Sequence, residues 1–154
     1  MDERRVDPFS YELAHHHPLV VLAAVGDLRH FERVAADLAR DFPGERFIGI
    51  VSADRVDDID FPLRALSILL AEVIFTASSV PSGVQGTILA SRALDVIGMG
   101  QDFVFTVPRL GDAVRYALDK LAGERSDAWE GTGVVVVGPP RHVDEVRRVL
   151  HPAS

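Results

Sequence analysis

Residues 19–24, Leu-Val-Val-Leu-Ala-Ala, form an unbroken apolar run, and no other feature constrains the fold of this chain as strongly. A strand that is apolar at every position is typical of a parallel sheet whose two faces are both covered by helices. A turn follows the run, and apolar residues then recur at helical spacing from Leu28 to Ala39. Because the chain repeats this plan of strand, turn and helix, it predicts βα units with right-handed crossovers.

Strands and helices are predicted in alternation along the chain. Further buried strands are predicted at residues 47–51, 72–76, 102–106 and 134–137. Helices are predicted over residues 28–39, 63–70, 84–97, 111–122 and 143–150. A weakly alternating run at residues 9–13 precedes the first buried strand, and a hairpin between the two is the simplest interpretation.

These elements predict an α/β fold, a three-layer α/β/α Rossmann-like sandwich with about five parallel strands and one antiparallel N-terminal edge strand. Residues 9–151 are expected to form a single domain, because 154 residues suffice for one hydrophobic core. Residues 1–8 are polar and are expected to be a flexible N-terminus.

The composition excludes several classes of function. A formal net charge of -7 disfavours non-specific binding of nucleic acid, which needs a basic surface. The sequence holds no cysteine, no secretion signal and no apolar run of the roughly 18 residues that cross a membrane. We therefore expect a cytoplasmic protein that contacts neither nucleic acid nor membrane. Lys120 is the only lysine, which excludes a P-loop or a catalytic lysine at every other position.

The turn after the first buried strand is where parallel sheets commonly bind ligands, and its residues are poorly suited to a nucleotide. A dinucleotide site requires a G-x-G-x-x-G turn, whereas this turn offers only Gly26. Asp27 is well placed to cap the following helix, where its carboxylate disfavours a bound phosphate. The last turn loses two backbone donors to Pro139 and Pro140, although Arg141 could hold an anion.

Polar residues at the predicted strand ends are the best candidates for ligand binding. The serines there lie outside any G-x-S-x-G motif, so no catalytic residue is assigned. The acidic loop at residues 54–60 could bind magnesium, but a solvated loop that starts a helix explains the same residues without a metal and is the preferred interpretation, so we expect no metal. The predicted ligand-binding residues are Asp27, Ser52, Asp54, Arg55, Ser78, Ser79 and Arg141.

Two further features have both a structural and a functional explanation. His15, His16 and His17 are consecutive, so their side chains point in different directions and cannot readily share one metal ion. A solvated hairpin loop is the preferred interpretation of these histidines. Trp129, the only tryptophan, could bind a partner, whereas a loop tryptophan more often folds back over the edge of its domain.

Short motifs in a fixed order run through almost the whole chain, from about Phe9 to Leu150. They include F-P-G-x-R-x-I at residues 42–48, an A-D-x loop at residues 53–55 and a glycine turn at Gly138. The series resembles the C-terminal domain of the Mur ligase superfamily, most closely that of folylpolyglutamate synthases. The resemblance implies a chemistry in which ATP and a carboxylate form an acyl phosphate, which the nitrogen of an amino acid then attacks.

The departures from the family pattern bear on function. In place of the family's D-x-A-H-N-P motif, residues 23–28 read A-A-V-G-D-L. The lysine of the family's A-D-K-D loop is replaced by Arg55, and the T-G-S turn reads V-G-P at residues 137–139. The family's ATPase domain, with its G-x-x-x-x-G-K-[ST] loop, has no counterpart in this sequence. The resemblance therefore implies that ATP activation has no site here and that the amino-acid site is altered.

Three hypotheses of function remain. The first is a stand-alone, degenerate ligase C-terminal domain that is not catalytic on its own and serves as a binding or assembly module for a partner protein, a second copy or a small metabolite. The second is the C-terminal half of a split ATP-dependent acid–amino acid ligase, completed by a separate P-loop subunit, with ATP and magnesium as cofactors. The third is a small-molecule binder whose likeness to ligases is only topological. The lost motifs favour the first hypothesis, under which the chain needs no cofactor of its own.

Overall fold

The computed structural model describes residues 10–15, 18–24, 28–79, 83–123 and 132–151. The predicted flexible N-terminus, the cap at Asp27, the loop histidines His16 and His17, and the Trp129 loop lie outside the described residues. Within the described ranges, no helix is long and apolar enough to cross a membrane.

A six-stranded sheet forms the middle layer of the described structure. Its strands are β1 (Glu12–His15), β2 (Val20–Ala24), β3 (Arg46–Val51), β4 (Leu70–Ala77), β5 (Val104–Arg109) and β6 (Thr132–Gly138). The spatial order is β1-β2-β6-β3-β4-β5. β1 pairs antiparallel with β2, whereas the pairs from β2 to β5 across the sheet are parallel. Five parallel strands beside one antiparallel edge strand confirm the predicted sheet.

Helices cover both faces of this sheet. They are α1 (Leu28–Asp41), α2 (Asp60–Leu66), α3 (Gly86–Arg92), α4 (Leu110–Gly123) and α5 (Pro140–Leu150). Short 3₁₀ turns occur at Val56–Ile59, Ser67–Leu69 and Gln101–Phe103, and a π-helical turn at Ala93–Ile97 continues α3. The three-layer arrangement follows from this distribution, as the sequence predicts.

Each face of the sheet packs into its own hydrophobic core. On one face, Phe31 of α1 is fully buried with Phe47 and Phe75 of the sheet, among side chains of α2 and α3. On the other face, Ile50 and Val136 are fully buried against α4 and α5. Successive strand residues point to opposite faces, so a strand buried on both faces is apolar at every position. This double burial is the physical origin of the unbroken apolar runs in the sequence.

β5 differs from its predicted position because it is an edge strand. It runs from Val104 to Arg109 rather than over residues 102–106, and it contains Pro108. An edge strand tolerates proline because the N–H groups on its outer side make no hydrogen bonds within the sheet. Pro108 therefore lies within a strand.

Two helix boundaries also differ from the prediction. α2 ends at Leu66 rather than at residue 70, and Pro62 lies in its first turn, where proline costs no hydrogen bond. The predicted helix over residues 84–97 becomes α3 and a π turn, which ends at Gly98 with φ of 84°. Glycine suits this position, because the left-handed conformation is strained for other residues.

The N-terminal hairpin is hydrogen-bonded to α1 on one face of the sheet and, through Glu12 and Arg147, to α5 on the other. The hydroxyls of Ser10 and Tyr11 donate hydrogen bonds to Asp37 and Asp41 of α1, at 2.8 and 2.6 Å. Burial and the Asp41 carboxylate raise the pKa of the Tyr11 phenol. His15 belongs to β1 and not to the hairpin loop, and its Nδ1 lies 2.8 Å from the carbonyl oxygen of Pro18.

Candidate functional site at the carboxyl end of the sheet

On the face of the sheet that α4 and α5 cover, the side chains change from aliphatic to small or polar where the strands end. The last full row of aliphatic side chains across four strands comprises Leu22, Val136, Ile50 and Ile74. Residues two positions apart along a strand point to the same face, so the next row on this face consists of Ala24, Gly138, Ser52 and Thr76. Small and hydroxyl-bearing residues therefore replace aliphatic ones at the end where ligands of parallel sheets bind.

Gly138 lets the last helix pack directly on this row. A Cβ atom at position 138 would lie 2.7 Å from Ser52 Oγ and 3.3 Å from the Cβ atom of His142. The shorter distance is below van der Waals contact, so a side chain at this position would displace Ser52 or the first turn of α5. Pro140 occupies that first turn, where its missing N–H leaves no helical bond unmade.

His142 is the centre of the polar cluster at this end. Its side chain is fully buried in the first turn of α5, and its Nδ1 lies 2.8 Å from Ser52 Oγ at hydrogen-bonding geometry. Its Nε2 lies 3.5 Å from Asp54 Oδ1 and makes no hydrogen bond among the described residues. Burial lowers the pKa of the imidazole, which the Asp54 carboxylate partly offsets. The ring is therefore neutral at pH 7.

Two carboxylates complete the cluster by pairing with other groups of the same chain. Arg141 forms an ion pair with Asp54, whose side chain is 30% exposed. Glu145, one turn further along α5, accepts hydrogen bonds from the hydroxyls of Ser78 and Ser79 at 2.7 and 3.1 Å. It also accepts the backbone N–H of Ser79 at 3.1 Å. Near the start of α5, Arg141 and Asp54 thus neutralise each other, and Glu145 is hydrogen-bonded to Ser78 and Ser79.

Arg55 stands apart from the cluster. Its side chain is 77% exposed and lies 3.8 Å from a carboxylate oxygen of Asp57. Its backbone N–H donates to Asp58 at 3.2 Å, which fixes the start of the 3₁₀ turn. The side chain of Arg55 is therefore directed at its own loop in this structure.

The cluster contains serine, histidine and aspartate, but it is not arranged for nucleophilic catalysis. A serine nucleophile must reach a substrate carbonyl, whereas Ser52 is only 3% exposed and abuts Gly138 and His142. Asp54, which would have to orient the imidazole, is instead paired with Arg141. Within the described ranges, no group of three or more histidines, cysteines or carboxylates could hold a metal ion.

The predicted ligand-binding residues fall into two groups that both contact α5. Ser52, Asp54 and Arg141 meet around His142, and a second group, Ser78 with Ser79, meets Glu145. Arg55 joins neither group. Asp27 lies outside the described residues, so its predicted role stays a prediction.

His142 and Glu145 belong to the cluster and were missed by sequence reasoning. A signal for His142 was available, because it lies four residues before the buried Val146 on the apolar face of α5. A histidine at that spacing is expected to be buried, and a buried histidine needs a polar partner. Glu145 offered no such signal, because its partners lie 66 and 67 residues away in the sequence.

Comparison with known proteins gives matches of structure alone. Neither family models nor curated proteins match the chain. A folylpolyglutamate synthase from Mycobacterium tuberculosis, solved with ADP, is 24% identical over 96% of this chain and 33% of its own, with a TM-score of 0.79. A second structure of that synthase, solved with ADP and AMPPCP, is 25% identical with a TM-score of 0.76.

More distant structures extend the same likeness. A bifunctional folylpolyglutamate synthase/dihydrofolate synthase from Yersinia pestis, solved with AMPPNP and Mn, is 20% identical over 95% of this chain and 32% of its own, with a TM-score of 0.69. UDP-N-acetylmuramate-alanine ligase MurC from Thermotoga maritima is 16% identical over 92% and 28%, with a TM-score of 0.53. The chain spans about one third of the length of these proteins. It has the fold of the C-terminal domain of the Mur ligases, as in folylpolyglutamate synthase.

Proposed function

We propose that this domain is a non-catalytic relative of the ligase C-terminal domain and acts as a binding or assembly module. The observation that carries the proposal is the closure of the strand ends by the chain's own side chains. His142, fully buried, fills the position above Ser52, and Arg141 neutralises Asp54. A substrate at this end would have to break the Ser52–His142 hydrogen bond and the Arg141–Asp54 ion pair.

The position of the single lysine supports the same proposal. Lys120 donates hydrogen bonds to both carboxylate oxygens of Glu72 at 2.8 Å, and its ammonium lies 5.7 Å from the centroid of the Phe105 ring. Glu72 is near the start of β4, so this pair lies away from the carboxyl end of the sheet. Lys120 is the only lysine of the sequence, so no other lysine could take the place of the family's loop lysine, at whose position this chain has Arg55.

The side chains of the cluster that are still exposed to solvent indicate which contacts a ligand or partner could make. Arg141 keeps 47% of its side-chain surface exposed, and Asp54 keeps 30%. A small metabolite or a partner protein is proposed to contact this outer ion pair without entering the buried row behind it. Exposed ion pairs contribute little to stability, so redirecting one of them toward a partner costs little.

The proposal is tested by assaying phosphate release from ATP with magnesium, L-glutamate and a folate. We expect no release above the background without protein. Purification from the native host, with this chain as bait, then identifies what it binds. Phosphate release by the purified chain, at a rate that Arg141→Ala and Asp54→Asn abolish, would overturn the proposal. An Arg29→Ala variant on the exposed surface of α1 is the matched control for handling.

A split ligase is the second candidate. It is favoured by one observation, that 96% of this chain matches 33% of the length of a solved synthase. It requires a separate protein with a P-loop, which supplies the ATP and magnesium sites. Mixing that protein with this chain, ATP and glutamate is then expected to release phosphate. If every P-loop protein encoded near this one leaves the mixture inert, the split-ligase candidate fails.

A further inference from the structure

A β-bulge in β1 turns His15 toward α5. Leu13 pairs with Val21 of β2, and the next pair joins His15 to Val20. β1 therefore has one residue more than β2 between these two pairs. Side chains that lie opposite each other in an antiparallel pair share one face of the sheet, and Val20 belongs to the core under α4 and α5. The extra residue thus brings His15 to the α5 face, whereas regular alternation would point it to the other face.

On that face His15 meets His151, the residue directly after the last turn of α5. The centres of the two rings lie 6.5 Å apart, and the ring planes are 27° from parallel. His15 is paired with the first residue of β2, so the two histidines lie at the amino end of the parallel strands. The pair is therefore remote from the cluster around His142, and an inference from it is independent of the proposed function.

Each ring uses one nitrogen to contact a backbone carbonyl of the hairpin. His15 Nδ1 lies 2.8 Å from the carbonyl oxygen of Pro18, and His151 Nε2 lies 3.2 Å from that of Ala14. A carbonyl oxygen can only accept, so the proton of a neutral ring is on the nitrogen that faces the carbonyl. His15 Nε2 and His151 Nδ1 then each have a lone pair, and neither makes a hydrogen bond with another described residue.

We propose that His15 Nε2 and His151 Nδ1 bind one divalent transition-metal ion of the class of Zn²⁺, Ni²⁺ and Cu²⁺. These ions favour imidazole nitrogen, and a histidine that binds a metal usually donates its other N–H to a carbonyl or carboxylate, as both histidines do here. Two imidazoles that share a metal, each about 2.0–2.1 Å from it, have ring centres about 5–6 Å apart. The rings must approach by only about 1 Å, and His151 is exposed and has room to rotate.

Water completes the coordination of the ion. Glu12, the carboxylate nearest along β1, is already hydrogen-bonded to Arg147 at 2.9 Å. The described ranges contain no group of three or more side chains that could hold a metal, so two imidazoles are the protein's whole contribution there. Such an ion exchanges with solvent, unlike a structural zinc ion with four protein ligands. It joins the N-terminal hairpin to the end of the last helix, and binding only to the folded chain raises its stability.

The pair could not be found from the sequence, which led us to expect no metal. His15 is separated from His151 by almost the whole chain, and the two rings meet only after β1 has paired with β2 and α5 has packed on the sheet. The adjacent His16 and His17 drew attention to a run of consecutive histidines instead.

The experiment is calorimetric titration of the purified chain, prepared without a histidine tag, with ZnCl₂. The wild type is expected to bind one ion saturably, and the ion is expected to raise the melting temperature. His15→Gln and His151→Gln each remove one of the two ligands and are expected to weaken binding about tenfold or more. An excess of MgCl₂ is expected not to displace the zinc, because Mg²⁺ prefers oxygen ligands.

His30→Gln is the matched control, because α1 packs on the opposite face of the sheet, and it is expected to bind zinc as the wild type does. The double variant His16→Gln, His17→Gln is likewise expected to retain binding. Circular dichroism of every variant verifies that the fold is intact. The proposal is overturned by a wild type that binds no zinc at millimolar concentration, or by a His151→Gln variant that binds it as tightly as the wild type. It is also overturned if binding is lost with His16 and His17.

Discussion

Ser52 Oγ and His142 Nδ1 lie 2.8 Å apart and are hydrogen-bonded across 90 residues of sequence. Ser52 follows the last residue of the central strand β3, and His142 is in the first turn of α5. Because both side chains are buried, this bond holds the helix down on the strand ends. It is the contact on which the closure of the carboxyl end depends.

Replacing Ser52 with alanine is expected to destabilise the domain. The substitution leaves His142 Nδ1 buried without its partner, and an unsatisfied buried polar group costs roughly 1–3 kcal/mol. The free energy of unfolding in urea measures the effect. Ser67→Ala is the matched control, because Ser67 is exposed and its hydroxyl lies 3.4 Å from the carbonyl oxygen of Arg64. Equal stability of the two variants would show that the Ser52–His142 bond contributes nothing.

Gly138→Ala is expected to destabilise through overpacking. The new Cβ atom would lie 2.7 Å from Ser52 Oγ, and forced contacts of this kind cost about 1–3 kcal/mol. Gly111→Ala in α4 is the matched control, because its Cβ atom would meet its nearest neighbour at an ordinary 3.5 Å. We expect that control to be neutral or slightly stabilising, since alanine favours a helix. Thermal unfolding of both variants gives the comparison, and a Gly138→Ala variant as stable as Gly111→Ala would contradict the packing described here.

Stability is expected to fall as the pH drops below the ordinary histidine pKa of 6.5. Burial lowers the pKa of His142 in the folded state, so the unfolded chain binds the proton more readily. The stabilisation is therefore complete above pH 6.5 and is lost as the pH falls from 6.5 toward the lower folded value. Urea unfolding at a series of pH values measures the slope.

The effect of His142 on stability can be distinguished from general acid unfolding, because the carboxylates lose their stabilising contribution at a lower pH. The pKa of Glu12 is lowered by its hydrogen bond with Arg147, and that of Asp60 by its hydrogen bonds with Arg92. Their contributions are lost only at more acidic pH, below the usual values of 4.5 and 3.8. His142→Asn is expected to flatten the slope between pH 6.5 and 5. A slope that persists in His142→Asn would exclude His142 as its cause.

The Lys120–Glu72 pair is expected to be structural. Glu72 keeps only 7% of its side-chain surface exposed, so Lys120→Met leaves a buried carboxylate without its cation, at a cost of about 3 kcal/mol. The double variant Lys120→Met, Glu72→Leu removes both charges and is expected to recover most of that loss. A double-mutant cycle on unfolding free energies tests this. The expectation fails if the double variant is no more stable than Lys120→Met alone.

The sheet could be predicted from the sequence because burial on both faces leaves a visible trace. Residues 19–24 and 134–137 are apolar at every position, and they fall within or overlap β2 and β6. β5 was displaced by two residues because an edge strand is only half buried, and its pattern is correspondingly weak. The local pattern of apolar residues thus predicted the buried strands more accurately than the edge strand β5.

The cluster at the carboxyl end was predicted only in part. Ser52, Asp54 and Arg141 were identified because they follow strands, and parallel strands end at one edge. The distances among them depend on the strand order β6-β3-β4, which no local pattern reveals. The partner of His142 could not be predicted for this reason, since Ser52 is adjacent to it only after β3 and β6 pair.

The most direct test of the closed carboxyl end is the imidazole NMR spectrum of His142, recorded while L-glutamate and magnesium ATP are added to the purified chain. His142→Asn assigns the signal by its loss. Because Ser52 and the first turn of α5 enclose the ring, we predict that the His142 signals keep their positions throughout the titration. A saturable shift of those signals on adding glutamate or ATP would contradict the account, because it would mean that a ligase substrate enters the cluster.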